Sequence, residues 1–290
     1  MPVLCLIADP QDSELDPRLA ASVVAETGGE LNWLNHAIAC EIIEPKSTDA
    51  LALVREIIGN RRIDAALVPT EQRRKQILLA DMDSTMIEQE CIDELAAALG
   101  IKEQVAEITD RAMRGELDFA EALDTRVALL KGLERKIIEE VRREQITLAP
   151  GGRALVQTMK AYGAYTALVS GGFTYFADFF AKRIGFDEAV ANVLEFDGEV
   201  LTGTVTKPIV DKNTKRERLI ALSQERNIPL SKTMAVGDGA NDLDMIRIAG
   251  FGVAMHAKPA VAAEAGIRID HSDLTALLYL QGFTDEDIVR

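Results

Sequence analysis

Cysteine, aromatic side chains, positive charge and long apolar runs are all scarce in this chain. Its 290 residues include 3 cysteines, 1 tryptophan and 5% aromatic residues. Cys5, Cys40 and Cys91 are odd in number, widely spaced and set among apolar neighbours. That pattern argues against a disulfide framework or a Cys-rich metal site and predicts reduced, buried thiols. No stretch reaches the roughly 18 apolar residues of a membrane-spanning helix. The opening segment MPVLCLIADP lacks the basic-then-apolar pattern of an export signal, so a cytoplasmic protein is expected. Only 32 Lys and Arg face 47 Asp and Glu, a formal net charge of -15. Neither nucleic acid nor an anionic membrane is an expected partner for such a surface. An anionic substrate would have to be held against that field by a few local cations, backbone N–H groups and a metal. His36, His256 and His271 show no metal-binding spacing and receive no catalytic role.

What is present is enough apolar residue, 48%, for a large core. Over residues 1–70 the pattern predicts strand 3–8, helix 17–26, strands 31–34 and 38–43, helix 49–58 capped by Ser47 or Thr48, and strand 63–68. This β-α-β-β-α-β order is ferredoxin-like and resembles the small amino-acid-binding ACT modules of biosynthetic enzymes. Residues 71–76 read as a polar linker. From residue 77 to 290 the pattern becomes strands separated by helices, which predicts a parallel, Rossmann-like sheet. Ile77–Ala80 leads into Asp81, Tyr165–Val169 into Ser170, and Thr233–Val236 into Gly237 and Asp238. The strand C-terminal edge is where open α/β sheets bind ligands. Between the first two of these strands, residues 92–143 have helical spacing broken near Gly100, Gly115 and Gly132, which predicts an inserted helical cap over about 90–148. Residues 189–206, alternating around Asp197-Gly198, read as a hairpin. The fold class expected is α/β, with a parallel core, an inserted cap and a small α+β N-terminal domain.

Asp81-Met82-Asp83-Ser84-Thr85 places two carboxylates in one loop after an apolar strand. Their repulsion is tolerable if a divalent cation sits there, or if one acid is protonated while the other stays ionised. Both suit phosphoryl transfer: one Asp attacks phosphorus, and the second protonates the leaving alkoxide and later takes a proton from water. Alone, the segment reads equally as a helix N-cap through Asp83 or Ser84. Ser170-Gly171-Gly172 offers a hydroxyl and unhindered N–H groups to phosphate oxygens. Lys215 opens a helix within a charged run, where a solvated role competes with one on a phosphoryl oxygen. Gly237-Asp238-Gly239-Ala240-Asn241-Asp242 brings hard oxygen donors suited to Mg²⁺.

These four segments resemble the motifs of the haloacid dehalogenase superfamily. Residues 88–95 and 113–119, together with 126–130, resemble its phosphoserine-hydrolysing branch. The resemblance spans roughly residues 77–270. It implies Asp81 as nucleophile and Asp83 as general acid and base. It implies Mg²⁺ held by Asp81, Asp238 and the backbone carbonyl of Asp83, with Asp242 supporting from the outer shell. Ser170, Gly171, Lys215 and Asn241 would hold the phosphoryl group. Glu90 would face the substrate ammonium and Arg126 its carboxylate, with Phe119 and Met113 lining the cap side. The implied reaction is hydrolysis of O-phospho-L-serine to L-serine and phosphate, the last step of L-serine biosynthesis; a homodimer is the assembly considered. Phe119 and Arg126 are two helical turns apart and should share one face. Another small-metabolite phosphatase or phosphotransferase, acting for example on phosphohomoserine, and a non-catalytic amino-acid sensor are the alternatives.

Overall fold

A computed structural model describes residues 2–12, 14–113 and 116–290, without the side chains of residues 110, 112 and 113. The chain begins with β1 (Pro2–Ala8), α1 (Pro17–Thr27), β2 (Glu30–Asn35), β3 (Ala39–Ile43), α2 (Ala50–Ile58) and β4 (Ile63–Pro69). These form an antiparallel sheet of order β2-β3-β1-β4, with the helices α1 and α2 packed together. The ferredoxin-like arrangement follows from the alternation of apolar runs and turns. One detail differs from the sequence expectation. The α2 N-cap is Asp49, with no side-chain capping bond, and Ser47 instead accepts the Asp49 N–H through Oγ.

The remainder is built on a six-stranded parallel sheet of order β12-β11-β10-β5-β6-β7. Its central strand is β5 (Ile77–Ala80), and every residue of it is buried. Four helices follow: α3 (Cys91–Ala98), α4 (Lys102–Met113), α5 (Phe119–Ala128) and α6 (Arg135–Glu144). The expected breaks at Gly100 and Gly132 separate helices, whereas Gly115 lies outside the described residues. The chain returns through α7 (Gly152–Ala161) to β6 (Tyr165–Phe173), α8 (Thr174–Ile184) and β7 (Glu188–Asn192). The hairpin is shorter than expected, β8 (Leu194–Asp197) and β9 (Val200–Val205), because Glu188–Asn192 joins the main sheet beside β6. Then come α9 (Lys212–Glu225), β10 (Thr233–Gly237), α10 (Leu243–Ile248), β11 (Phe251–Met255), α11 (Pro259–Glu264), β12 (Ile267–Ile269) and α12 (Ala276–Leu280).

The two sheets share apolar packing. Val3, Cys5 and Ile7, on one face of β1, belong to the same buried cluster as Met82, Leu277 and Leu280. Leu4 and Leu6, on the opposite face, pack under α1 and α2. The three cysteines are all buried and unbridged, as expected. No helix among the described residues is long and apolar enough to cross a membrane.

Candidate active site

The strands β5, β6 and β10 are parallel, so their C-terminal ends open on one edge, and each delivers polar residues there. Asp81 leaves β5 with its N–H donated to the Val236 carbonyl at 3.0 Å, which ties the loop to β10. Its Oδ1 accepts the Met82 N–H and the Lys215 ammonium, each at 2.7 Å. Lys215 also donates to Asp242 Oδ1 at 2.7 Å, and Asp242 Oδ2 accepts the Gly239 N–H at 3.0 Å. Lys215 is fully buried, not solvated at the head of α9. Burial acts to lower its pKa, but the Asp242 and Asp81 carboxylates outweigh burial and hold it above the usual lysine range.

Carboxylate oxygens of Asp81, Asp238 and Asp242 lie within 4.8 Å of one another, and all three residues are buried. Burial, then the Asp81 and Glu90 charges, push Asp238 up to about 7; burial and Asp81 push Asp242 up to about 8. Three crowded acids against one lysine make a hard-oxygen donor set that fits a divalent cation. Close approach explains one glycine here: a Cβ on Gly237 would meet the Asp242 carboxyl group at 2.3 Å.

Asp83 does not cap a helix that starts beside it, since the segment through Ile87 turns irregularly and α3 begins only at Cys91. Its Oδ1 reaches across to accept the Cys91 N–H at 3.4 Å. Burial, then the Glu90 charge, raise the Asp83 carboxyl well above the usual carboxylate range, which favours its protonated form. Ser170 lies within β6, not beyond its end, and its Oγ accepts the Gly172 N–H at 2.9 Å. A Cβ on Gly172 would stand 2.7 Å from Asp83 Oδ2, so only glycine leaves that carboxyl room. Asn192 donates to the Gly171 carbonyl at 2.8 Å and accepts the Val210 N–H at 2.7 Å, which fixes the loop.

A cavity of about 600 Å³ opens over this edge, and Asp81, Asp83, Ser170, Gly171, Asp238 and Asn241 line its floor. Glu90, Phe119 and Arg126 line the same cavity from the helical side. Glu90 precedes α3 and accepts the Ser84 hydroxyl at 2.8 Å. Arg126 shares α5 with Phe119, and its Nε donates to the Ala122 carbonyl at 3.2 Å. Lys215 and Asp242 lie behind the floor. The side chain of Met113 is outside those described. Sequence reasoning missed Asp93 and Lys258, which also line the cavity. Asp93 lies in the first turn of α3, three residues after the Glu90 N-cap, a spacing that was readable. Lys258 follows β11 at the ligand-binding edge of the sheet, which was its available signal.

Residues 78–247 match the haloacid dehalogenase-like hydrolases, and the chain belongs to that family. Relatives it resembles within the family include phosphoserine phosphatases. That of Streptomyces coelicolor is 43% identical over 84% of this chain and 59% of its own length. That of Haemophilus influenzae is 46% identical over 72% of this chain and 66% of its own. The chain thus spans about three fifths to two thirds of those two relatives. A solved structure of a probable phosphoserine phosphatase from Vibrio cholerae, in unliganded form, superposes with a TM-score of 0.80 at 32% identity, covering 99% of this chain and 88% of the other.

Proposed function

We propose that this protein is a Mg²⁺-dependent phosphoserine phosphatase that hydrolyses O-phospho-L-serine to L-serine and phosphate, completing L-serine biosynthesis. The observation that carries this reading is the one cavity that brings together Asp81 and Asp83 after β5, Ser170 of β6 and Asp238 after β10 with Glu90 at the start of α3 and Arg126 of α5. Its domain plan is a module over 1–70, a linker over 71–76 and a phosphatase domain over 77–290 with its cap at about 90–148. It acts as a cytoplasmic enzyme.

Asp81, oriented by Lys215 and the Met82 N–H, attacks phosphorus while Asp83 gives its proton to the departing serine oxygen. The aspartyl phosphate on Asp81 is then attacked by water, whose proton Asp83 takes, releasing phosphate and restoring the Asp81 carboxylate. Ser170, the Gly171 backbone, Lys215 and Asn241 hold the phosphoryl oxygens. When bound, Mg²⁺ would be held by Asp81, Asp238 and the Asp83 carbonyl, with Asp242 supporting, and would neutralise phosphoryl charge. Phosphoserine carries an ammonium and a carboxylate, for which Glu90 and the planar guanidinium of Arg126 are suited partners. Phe119, and Met113 on the same cap segment, would enclose the substrate.

The test is phosphate release from a panel of phosphomonoesters with Mg²⁺. Phosphoserine should be the preferred substrate. Asp81→Asn should remove turnover by at least about 10³-fold, a covalent-nucleophile effect. Arg126→Ala should raise KM for phosphoserine by about 10-fold or more, the loss of a charge-assisted bidentate partner, and spare phosphates lacking a carboxylate. Dominant activity on such phosphates, insensitive to Arg126, would overturn the substrate assignment.

A further inference from the structure

The cleft is poorly suited by charge to receive the substrate it is proposed to hydrolyse. Among the described residues its lining contains five carboxylic acids, Asp81, Asp83, Glu90, Asp93 and Asp238, against two cations, Arg126 and Lys258. The protein as a whole is at -15. Arg126 is half-buried beneath the helical side, where Asp93, Glu90 and Asp83 surround it. Lys258 is exposed at the rim.

The backbone of Lys258 is fixed. Its N–H donates to the Asp238 carbonyl at 3.1 Å, and its own carbonyl accepts the N–H groups of Val261 and Ala262. Pro259 follows, and Lys258 has the extended conformation that a following proline favours, φ -56 and ψ 145. Two residues upstream, the His256 N–H donates to the Ile269 carbonyl at 2.8 Å, and its Nδ1 lies 3.1 Å from the Asp270 carbonyl oxygen. A long, flexible amine therefore stands on a rigid base beside the metal-binding floor. Its charge acts on Asp238 on the core side and on Asp93 on the α3 side.

We propose that Lys258 is the substrate-capture residue of this enzyme: it engages the dianionic phosphate at the mouth and directs it past the acidic rim toward Asp81. The inference rests on the phosphatase function proposed above. A dianion meeting one exposed ammonium in a cleft gains attraction that salt screens, so the effect belongs to encounter and binding. Arg126, facing the substrate carboxylate, cannot substitute for it.

Steady-state kinetics of wild type, Lys258→Met and Lys258→Arg with saturating Mg²⁺, at ionic strengths from about 20 to 300 mM, test this. Lys258→Met should lower kcat/KM for phosphoserine by about 5- to 20-fold at low salt, with the gap narrowing as salt rises. Its kcat should stay within about twofold, inhibition by inorganic phosphate should weaken by a similar factor, and Lys258→Arg should behave like wild type. Unchanged kcat/KM and salt dependence in Lys258→Met, or a loss confined to kcat, would overturn the proposal. If wild type hydrolyses p-nitrophenyl phosphate but not phosphoserine, the substrate assignment fails by itself. The same comparison on p-nitrophenyl phosphate then still decides the role of Lys258.

Discussion

Lys215 is 1% exposed and lies between Asp81 and Asp242, each 2.7 Å away. A buried cation is tolerable only with such partners, and the partners in turn depend on it. Lys215→Met should destabilise the metal-free protein by about 3–5 kcal/mol, because crowded carboxylates lose their counter-charge. Chemical denaturation in the presence of a chelator measures this. The acids themselves give a signed pH dependence. Asp238 at about 7 and Asp242 at about 8 both lie above the ordinary carboxylate range in the fold. Their contribution to stability is therefore fully present below about pH 4 and lost as pH rises through 7 to 8. Metal-free protein should melt at progressively lower temperature from about pH 5 to 9, and Mg²⁺ should remove most of that loss while displacing protons. Metal-free stability that climbs across this interval would contradict the argument. At this scale the gathering of Asp81, Asp83, Ser170 and Asp238 at one sheet edge was legible, since each sits at or just beyond the end of an apolar strand core. The depth of Lys215 was not, because a run such as Lys212–Arg218 looks the same whether its lysines face water or carboxylates.

The helix α5 shows how one element serves the site. Asp118 accepts the Glu121 N–H at 2.8 Å, and Glu121 accepts the Asp118 N–H in return, a reciprocal cap that starts the helix one residue before Phe119. Seven residues on, Arg126 lines the same cavity as Phe119, as the spacing predicts. Asp118→Ala should cost about 1 kcal/mol of stability, the usual loss at an N-cap. It should also raise KM for phosphoserine severalfold with little change in kcat, because the first turn carries Phe119; thermal melts and steady-state kinetics separate the two effects. Element types were mostly readable from periodicity, and pairing was not. Glu188–Asn192 alternates much as a hairpin arm does, and nothing local states that its hydrogen bonds go to β6. Lys258 escaped notice for a related reason: its place at the site edge depends on β11 pairing beside β10.

Across the whole molecule, the N-terminal sheet is joined to the parallel core by polar contacts as well as apolar ones. Asp64 on β4 is buried and accepts the backbone N–H groups of Asp270, His271 and Ser272. Arg73 pairs with Glu41 at 2.5 Å and donates to the Leu280 and Tyr279 carbonyls. Arg73→Ala should cost about 3 kcal/mol by leaving Glu41 buried without its partner, and unfolding should remain a single transition by calorimetry, because both sheets share one apolar cluster. The element order of this region was legible in the alternation of apolar runs. Its attachment was not, since residues 71–76 are as polar as a free tether would be.

That segment has a consequence for enzymes that cut proteins. Arg73-Arg74-Lys75 spells a run of tryptic sites, yet Arg74 lies over the Phe283 ring at 3.4 Å and Lys75 over the Phe251 ring at 3.7 Å. The Lys75 ammonium also donates to the Gln72 and Ser231 carbonyls, at 3.0 and 2.8 Å. Trypsin needs an extended, released strand, so the rate at which it severs the chain there becomes a clock for opening of the entire protein.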